Sequence, residues 1–422
     1  MKRNDKNISR RDLLAGAALT AGATLVPGLQ GAAQNPPTAG KASATAPPPV
    51  IPADPTAAPG APTSAQSVRS SFENPARTPV GAQAGSSLTP LHHLTGTMTP
   101  NDLMFERHHS GVPAIDPARH RLVIHGLVDR PMTFTLDELK RFPSVSRIHF
   151  LECSGNGRAA YKEPKPEMTP QIVDGLTCNG EWTGVPLATV LREAGVQSAA
   201  TWFFAEGSDS AKMSRSIPID KAWDDALLVW AFNGEALRPS NGYPVRLFLP
   251  GFEGNTCVKW LRRIKLTDQP NMSKDETSKY TDPLPGGKAR QFSFLMDAKS
   301  VITSPSTLAR IERGWREISG IAWSGRGKIQ NVDVSTDGGA TWRAAELQSP
   351  VLSKAHTRFT FMWDWNGSAT TLMSRASDDT GYTQPTRAVF ESTRGKGTDY
   401  HFNYIRAWRV DGDGAVSFSG AS

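Results

Sequence analysis

Cysteine is scarce in this chain. Only Cys153, Cys178 and Cys257 occur in 422 residues, no two are spaced C-x-x-C, and no C-x-x-C-H is present. The spacing excludes a zinc ribbon, a dithiol redox pair and covalent c-type haem on this sequence. An odd count leaves at least one thiol unpaired even in an oxidising compartment. Long apolar runs are also missing. The stretch Ala15 to Val26 is small-residue-rich and falls short of the roughly 20 residues a membrane helix needs. The formal charge is +7, yet no Lys/Arg run stands out, so there is no footprint for nucleic acid.

What the N-terminus does contain is an address. Ser9-Arg10-Arg11-Asp12-Leu13-Leu14 followed by the apolar run reads as a twin-arginine export signal over residues 1–33, with cleavage near Gly31-Ala32-Ala33. The expected location is the periplasm, reached already folded with any cofactor in place. Residues 1–33 carry five Lys/Arg and two Asp/Glu, so their loss lowers the formal charge from +7 to +4. Scattered arginines in a pocket then suit an anionic substrate. Twelve of the 32 prolines lie between Pro36 and Pro90. With few large apolar residues to bury, residues 34–90 read as a Pro/Ala-rich linker. The remainder exceeds one ordinary core, so two domains are expected.

Within 91–297 the pattern mixes helices and strands. Thr135 and Glu138 have capping-box spacing ahead of a short helix. Pro186 and Gly195 bracket a helix. Ser146 to Leu151 reads as a strand that delivers Cys153 to a Gly-rich turn. The segments 202–205, 226–232 and 245–249 read as buried strands. From 298 to 422 only strand-length segments and turns such as Gly338-Gly339 appear. The expected architecture is an α+β domain followed by an all-β, immunoglobulin-like sandwich. Trp323, Trp342, Trp363 and Trp365 there suit either an interface or a core.

Cys153 is the residue with most chemistry in reach. A thiol among cations implies a lowered thiolate pKa or a bound metal, whereas an inert buried cysteine is the common alternative. Neighbouring motifs decide between them. Phe105-Glu106-Arg107-His108-His109 with Val112-Pro113, Cys153-Ser154-Gly155-Asn156-Gly157-Arg158, Asn241-Gly242-Tyr243-Pro244-Val245-Arg246, Val258-Lys259-Trp260-Leu261, and Asp333-Val334-Ser335 with Asp337-Gly338-Gly339 and Trp342 all occur in order. Together they resemble the sulfite oxidase family of molybdenum enzymes from about residue 100 to the end. Glu152 and the segment Thr277 to Asp282 bring the chain nearest to the branch that oxidises sulfane sulfur during periplasmic thiosulfate oxidation.

The resemblance implies a molybdenum cofactor (molybdenum–molybdopterin). Cys153 would be the metal ligand and, with Tyr280, Arg107 and Arg158, would form the catalytic set. Phe105, His109, Asp209, Asn241, Arg246, Cys257, Val258 and Lys259 would hold the pterin and its phosphate. Soft thiolate suits the metal, and Arg and Lys suit phosphate. The C-terminal domain would be the dimerisation module. Implied partners are a c-type cytochrome subunit, since haem is not expected on this chain, and a sulfur-carrier protein as substrate, in a homodimer within a heterotetramer. Three positions depart from the pattern: Asn241 replaces a His, Ile172 stands where a pocket Trp is expected, and Asn366 follows the W-x-W motif. These substitutions predict a roomier pocket, suited to sulfur delivered on a carrier arm. A direct sulfite dehydrogenase, a sulfoxide or nitrate reductase of the same fold, and an exported binding module are the alternatives.

Overall fold

The computed structural model describes residues 59–284 and 286–421; the proposed export signal lies outside them. The chain divides into two compact units, Met1–Val68 and Arg69–Ser422. The described part of the first, residues 59–68, has no regular element.

Its N-terminal part is built on two five-stranded sheets. In one, the order is Glu235–Ala236, Leu227–Phe232, Thr177–Pro186, Val145–Glu152, with Arg246–Phe248 also paired to Leu227–Phe232. In the other it is Met132–Phe134, Leu122–Gly126, Leu261–Thr267, Trp202–Gly207, Ser214–Pro218, with only the pair 122–126 and 261–267 parallel. Trp182 is fully buried and its ring lies 4.3 Å from Phe248 and 4.5 Å from Phe232. Side chains of this size each contribute roughly 1.5–3 kcal/mol on burial. The capping box forms as expected: the Glu138 amide donates to Thr135 Oγ1 at 3.1 Å, and the Thr135 amide donates to Glu138 Oε2 at 2.8 Å. The helix Leu187–Ala194 ends at Gly195, whose φ of +68° is the left-handed cap conformation.

From Lys299 onward two sheets pack face to face. One contains Lys299–Ser304, Gly314–Trp323, Thr357–Trp365 and Glu346–Leu347; the other contains Arg343–Ala344, Ile329–Ser335, Thr370–Asp378, Arg406–Val410 and Val416–Ala421. The Gly338-Gly339 turn carries both positive φ angles and joins paired strands. The helix Arg387–Arg394 interrupts the otherwise all-β pattern. Trp323, Trp363 and Trp365 are core residues, Trp342 is half-buried, and the exposed one is Trp315.

The linker ends earlier than its composition implied. Thr78–Val80 and Ser86–Leu88 pair with each other, and Ser86 and Ser87 pair with Glu106–Arg107. Main-chain pairing needs no large side chains, and Gln171 Nε2 ties the segment down by donating to the Ala76 and Leu88 carbonyls at 2.9 and 2.8 Å. The two parts also share a core. Leu91, Phe150, Ala160, Met168 and Val173 pack in one cluster with Trp323, Phe359 and Trp408.

Candidate active site

A cavity opens where loops at the ends of the two N-terminal sheets meet. Its floor is the turn after Val145–Glu152. The Cys153 amide donates to the Leu176 carbonyl at 3.0 Å, and the Cys153 carbonyl accepts from the Asn156 amide at 2.9 Å. Gly254 crosses so closely that a Cβ there would lie 2.7 Å from the Glu152 carbonyl oxygen. Burial pushes the Cys153 thiol up, against the Gly155 backbone and the Arg107 and Arg158 charges. The free thiol is therefore protonated at neutral pH, which corrects the expectation of a lowered pKa; a cation placed on the sulfur is what would make it a thiolate. Cys178 and Cys257 are buried, with thiols likewise raised. Cys153 and Cys257 line the cavity and Cys178 does not; the Cys257 thiol is bonded to the Leu249 main chain and its carbonyl accepts from Arg246.

The opposite wall is cationic. Arg246 is buried; Nη1 donates to the Asn241 carbonyl and Nη2 to the Cys257 carbonyl, both at 2.9 Å, and Nε has no partner among the described residues. Lys259 Nζ donates to the Ser240 and Arg107 carbonyls at 2.9 and 3.1 Å and to His108 Nδ1 at 2.8 Å. Burial, then the nearby Arg246 charge, pushes its pKa well down. Among the described residues no carboxylate lies within ion-pair distance of Arg246, Lys259 or Arg107. Buried cations without counter-charges are costly unless an anion joins them. His108 accepts from Lys259 on Nδ1, so its Nε2 carries the proton donated to Glu106 at 2.6 Å. Asn241 does not face solvent; its Nδ2 donates to the Phe105 carbonyl at 3.1 Å and so fixes the start of the 105–109 segment.

At the mouth, Tyr280 and His109 share a 2.9 Å hydrogen bond. Burial, then the Arg107 and Lys279 charges, holds His109 down to about 4, so the imidazole is neutral near pH 7. Tyr280 is raised, chiefly by burial. Its φ of +52° is a left-handed conformation held by packing against Tyr400, 5.1 Å away, and Arg215, 5.1 Å above the ring. Asp209 accepts from the Met213 amide at 3.1 Å and caps this edge.

Phe105, Arg107, His109, Cys153, Asp209, Asn241, Arg246, Cys257, Val258, Lys259 and Tyr280 thus all line the one cavity. Arg158 does not. Its guanidinium donates to the Asp399 carbonyl at 3.0 and 2.6 Å and stacks on Tyr400, so it acts on the site through charge and by holding the C-terminal part. Nor do Ile172 and Asn366 reach the cavity. Ile172 packs on the shared core, and exposed Asn366 accepts from the Ser368 amide in a turn; of the three departures only Asn241 bears on the site. Trp260, which stacks on His108 at 5.9 Å, and Asn255, which donates to Ser154 Oγ at 3.0 Å, line the cavity without having been singled out. Trp260 lies inside a noted motif, and its φ of +51° is visible only in three dimensions.

Residues 109–275 match the oxidoreductase molybdopterin binding domain, and residues 290–407 match the Mo-co oxidoreductase dimerisation domain. The chain is 34% identical over 272 residues to the mitochondrial sulfite oxidase of Mus musculus, covering 60% of this chain and 50% of that protein. It is 30% identical over 313 residues to sulfite oxidase of Gallus gallus, covering 68% of each. It spans about half the length of the mammalian relatives it matches. Among solved structures, the sulfane dehydrogenase SoxCD from Paracoccus pantotrophus superposes with a TM-score of 0.83 at 43% identity, covering 86% of this chain and 95% of that one. Motif order, cavity and these likenesses agree that the chain belongs to the sulfite oxidase family of molybdopterin oxidoreductases.

Proposed function

We propose that this protein is a molybdenum-dependent oxidoreductase that oxidises sulfane sulfur held on a carrier protein and passes the electrons to a c-type cytochrome subunit. The observation that carries the cofactor reading is Arg246: buried, short of a partner on Nε, without a carboxylate, and in the same cavity as Cys153. An anionic pterin phosphate supplies the missing charge. Arg246, Lys259 and the main chain at Phe105, Cys257 and Val258 would hold that group, with Asp209, Asn241 and His109 shaping its edge and Cys153 as the metal ligand. Bound there, the molybdenum cofactor supplies two-electron oxygen-transfer chemistry. The chain's own part is to keep His109 neutral and bonded to Tyr280 Oη, so that a proton can pass between them at the mouth, and to present Arg107 to an anionic sulfur group.

Sulfane sulfur is preferred over free sulfite because the likeness to the sulfane dehydrogenase structure is closer and longer, 43% identity over 86% of this chain. The sulfite oxidases among the relatives favour the second reading, a direct sulfite dehydrogenase. The haem-binding C-x-x-C-H motif is absent from the sequence, and the reading places haem on a partner. We also place the protein in the periplasm, exported by the twin-arginine signal, as a homodimer within a heterotetramer. No helix of the described residues is long and apolar enough to cross a membrane. An exposed strip at Trp315 and Met362, on adjacent strands of the matched dimerisation domain, supports self-association.

The test is metal and pterin analysis of the purified protein, then reduction of a c-type cytochrome with carrier-bound sulfane sulfur or with sulfite. Stoichiometric molybdenum and faster turnover of the carrier-bound substrate are expected. Faster turnover of sulfite selects the second reading, and protein that never contains molybdenum defeats both.

A further inference from the structure

Beneath the cavity lies a buried ion network that the reading above does not use. Lys299 Nζ lies 2.8 Å from Glu152 Oε1 and 2.9 Å from Asp174 Oδ1. Arg406 meets Asp174 with two bonds of 3.0 Å each. Trp323 Nε1 donates to Glu152 Oε2 at 2.7 Å. The four charged side chains are each at most 2% exposed, and their charges balance. The carboxylates come from the N-terminal part, while Lys299, Trp323 and Arg406 come from the C-terminal part.

Buried ion pairs are poor stabilisers, because desolvation offsets most of their attraction, and apolar residues of like volume often serve as well. Their use here coincides with geometry. Glu152 Oε1 also accepts from Asn156 Nδ2 at 3.0 Å; Asn156 Oδ1 accepts from the Leu176 amide at 2.9 Å; and Asn156 and Leu176 are the residues that hold the Cys153 main chain. The loop is also shaped around Arg406: a Cβ on Gly157, at φ +95°, would lie 2.4 Å from Arg406 Nη2.

We propose that the C-terminal part positions the metal-binding cysteine, with Lys299 and Arg406 as positioning residues acting through Glu152, Asp174 and Asn156. The inference rests on the reading of Cys153 as the metal ligand. Its test compares Lys299→Met and Trp323→Phe with Lys354→Met in the full-length protein, cofactor-loaded for the first two readings and cofactor-free for the third. Lys354 forms a different cross-domain pair, 2.6 Å from Asp225, whose side chain does not touch the loop. Three quantities are read: turnover and KM, the electron paramagnetic resonance spectrum of the bound metal, and the alkylation rate of Cys153 in cofactor-free protein. Lys299→Met is expected to lower kcat roughly 10- to 100-fold with little change in KM, as misplacement by an ångström does. It should also change the spectrum and speed alkylation, with Trp323→Phe moving all three in the same direction by less. Lys354→Met should leave them unchanged. Folded Lys299→Met with wild-type spectrum and alkylation rate overturns the proposal, as does Lys354→Met reproducing its effects. Where Lys299→Met does not fold, Trp323→Phe decides. Wild-type protein devoid of molybdenum defeats the functional reading instead, and the alkylation comparison still decides the positioning.

Discussion

At the residue scale, the site is defined by charge left over. Arg246→Met keeps an unbranched apolar side chain and removes the guanidinium, which lies 5.4 Å above the Trp182 ring. A charge-assisted hydrogen bond contributes roughly 1.5–3 kcal/mol, so cofactor retention should weaken about 10- to 100-fold, read as molybdenum per chain after gel filtration. Tyr280→Phe keeps the ring against Tyr400 and Arg215 but ends the bond to His109. Turnover should drop roughly 10- to 100-fold while the unfolding free energy changes by no more than about 1 kcal/mol; an unchanged kcat would place the proton path elsewhere. Most cavity residues were legible because each sits in a short motif where spacing along the chain and place in the cavity coincide. Arg158 was not, because its partners Asp399 and Tyr400 lie more than two hundred residues away. Ile172 and Asn366 were misplaced for a related reason: alignment by counting fixes a position along the chain and says nothing of which face it turns.

At the element scale, the turn after Val145–Glu152 succeeds because Gly254 passes it without a side chain. Gly254→Ala would set a Cβ 3.3 Å from the Cys153 Cα as well as on the Glu152 carbonyl. That amide also donates to the Glu152 carbonyl at 2.7 Å, so the loop cannot move off without losing a bond. The expected cost is about 1–3 kcal/mol with activity reduced further than stability; denaturant unfolding and kcat measured on the same preparation check it. Helix signals were read well, since caps are local chemistry, as Thr135 with Glu138 and Gly195 show. The hairpin at 78–88 escaped because its partner strand, Glu106–Arg107, is supplied from outside the segment.

At the scale of the molecule, the two family-matched regions are mechanically one. His356 is a measure of that union: it is buried, stacks on Phe150 at 6.2 Å and shares a 3.0 Å hydrogen bond with Thr177 from the other part. Burial holds its pKa down to about 3, against an ordinary 6.5. Between those values the unfolded chain takes up a proton that the folded chain refuses, so stability is present above pH 6.5 and falls as pH drops toward 3. The slope is about 1.4 kcal/mol per pH unit for one such group. Urea midpoints at neutral and mildly acidic pH should show the fall, and His356→Gln should make it shallower by about one group's slope, with depressed imidazoles such as His109 keeping the remainder; a flat wild-type profile would contradict a neutral buried imidazole.

The strand Val145–Glu152 turns Phe150 into the shared core and Leu151 into the N-terminal core, then ends at the cysteine. Successive side chains of a strand face opposite ways. A single residue inserted anywhere between Val145 and Glu152 would therefore exchange the two hydrophobic faces and rotate Cys153 away from the cavity at one stroke. The turn at 336–341 has no such obligation and should accept added length. Tolerance to insertion, mapped along the chain, ought to fall to nothing across those eight residues, making this strand the ruler against which the rest of the site is set.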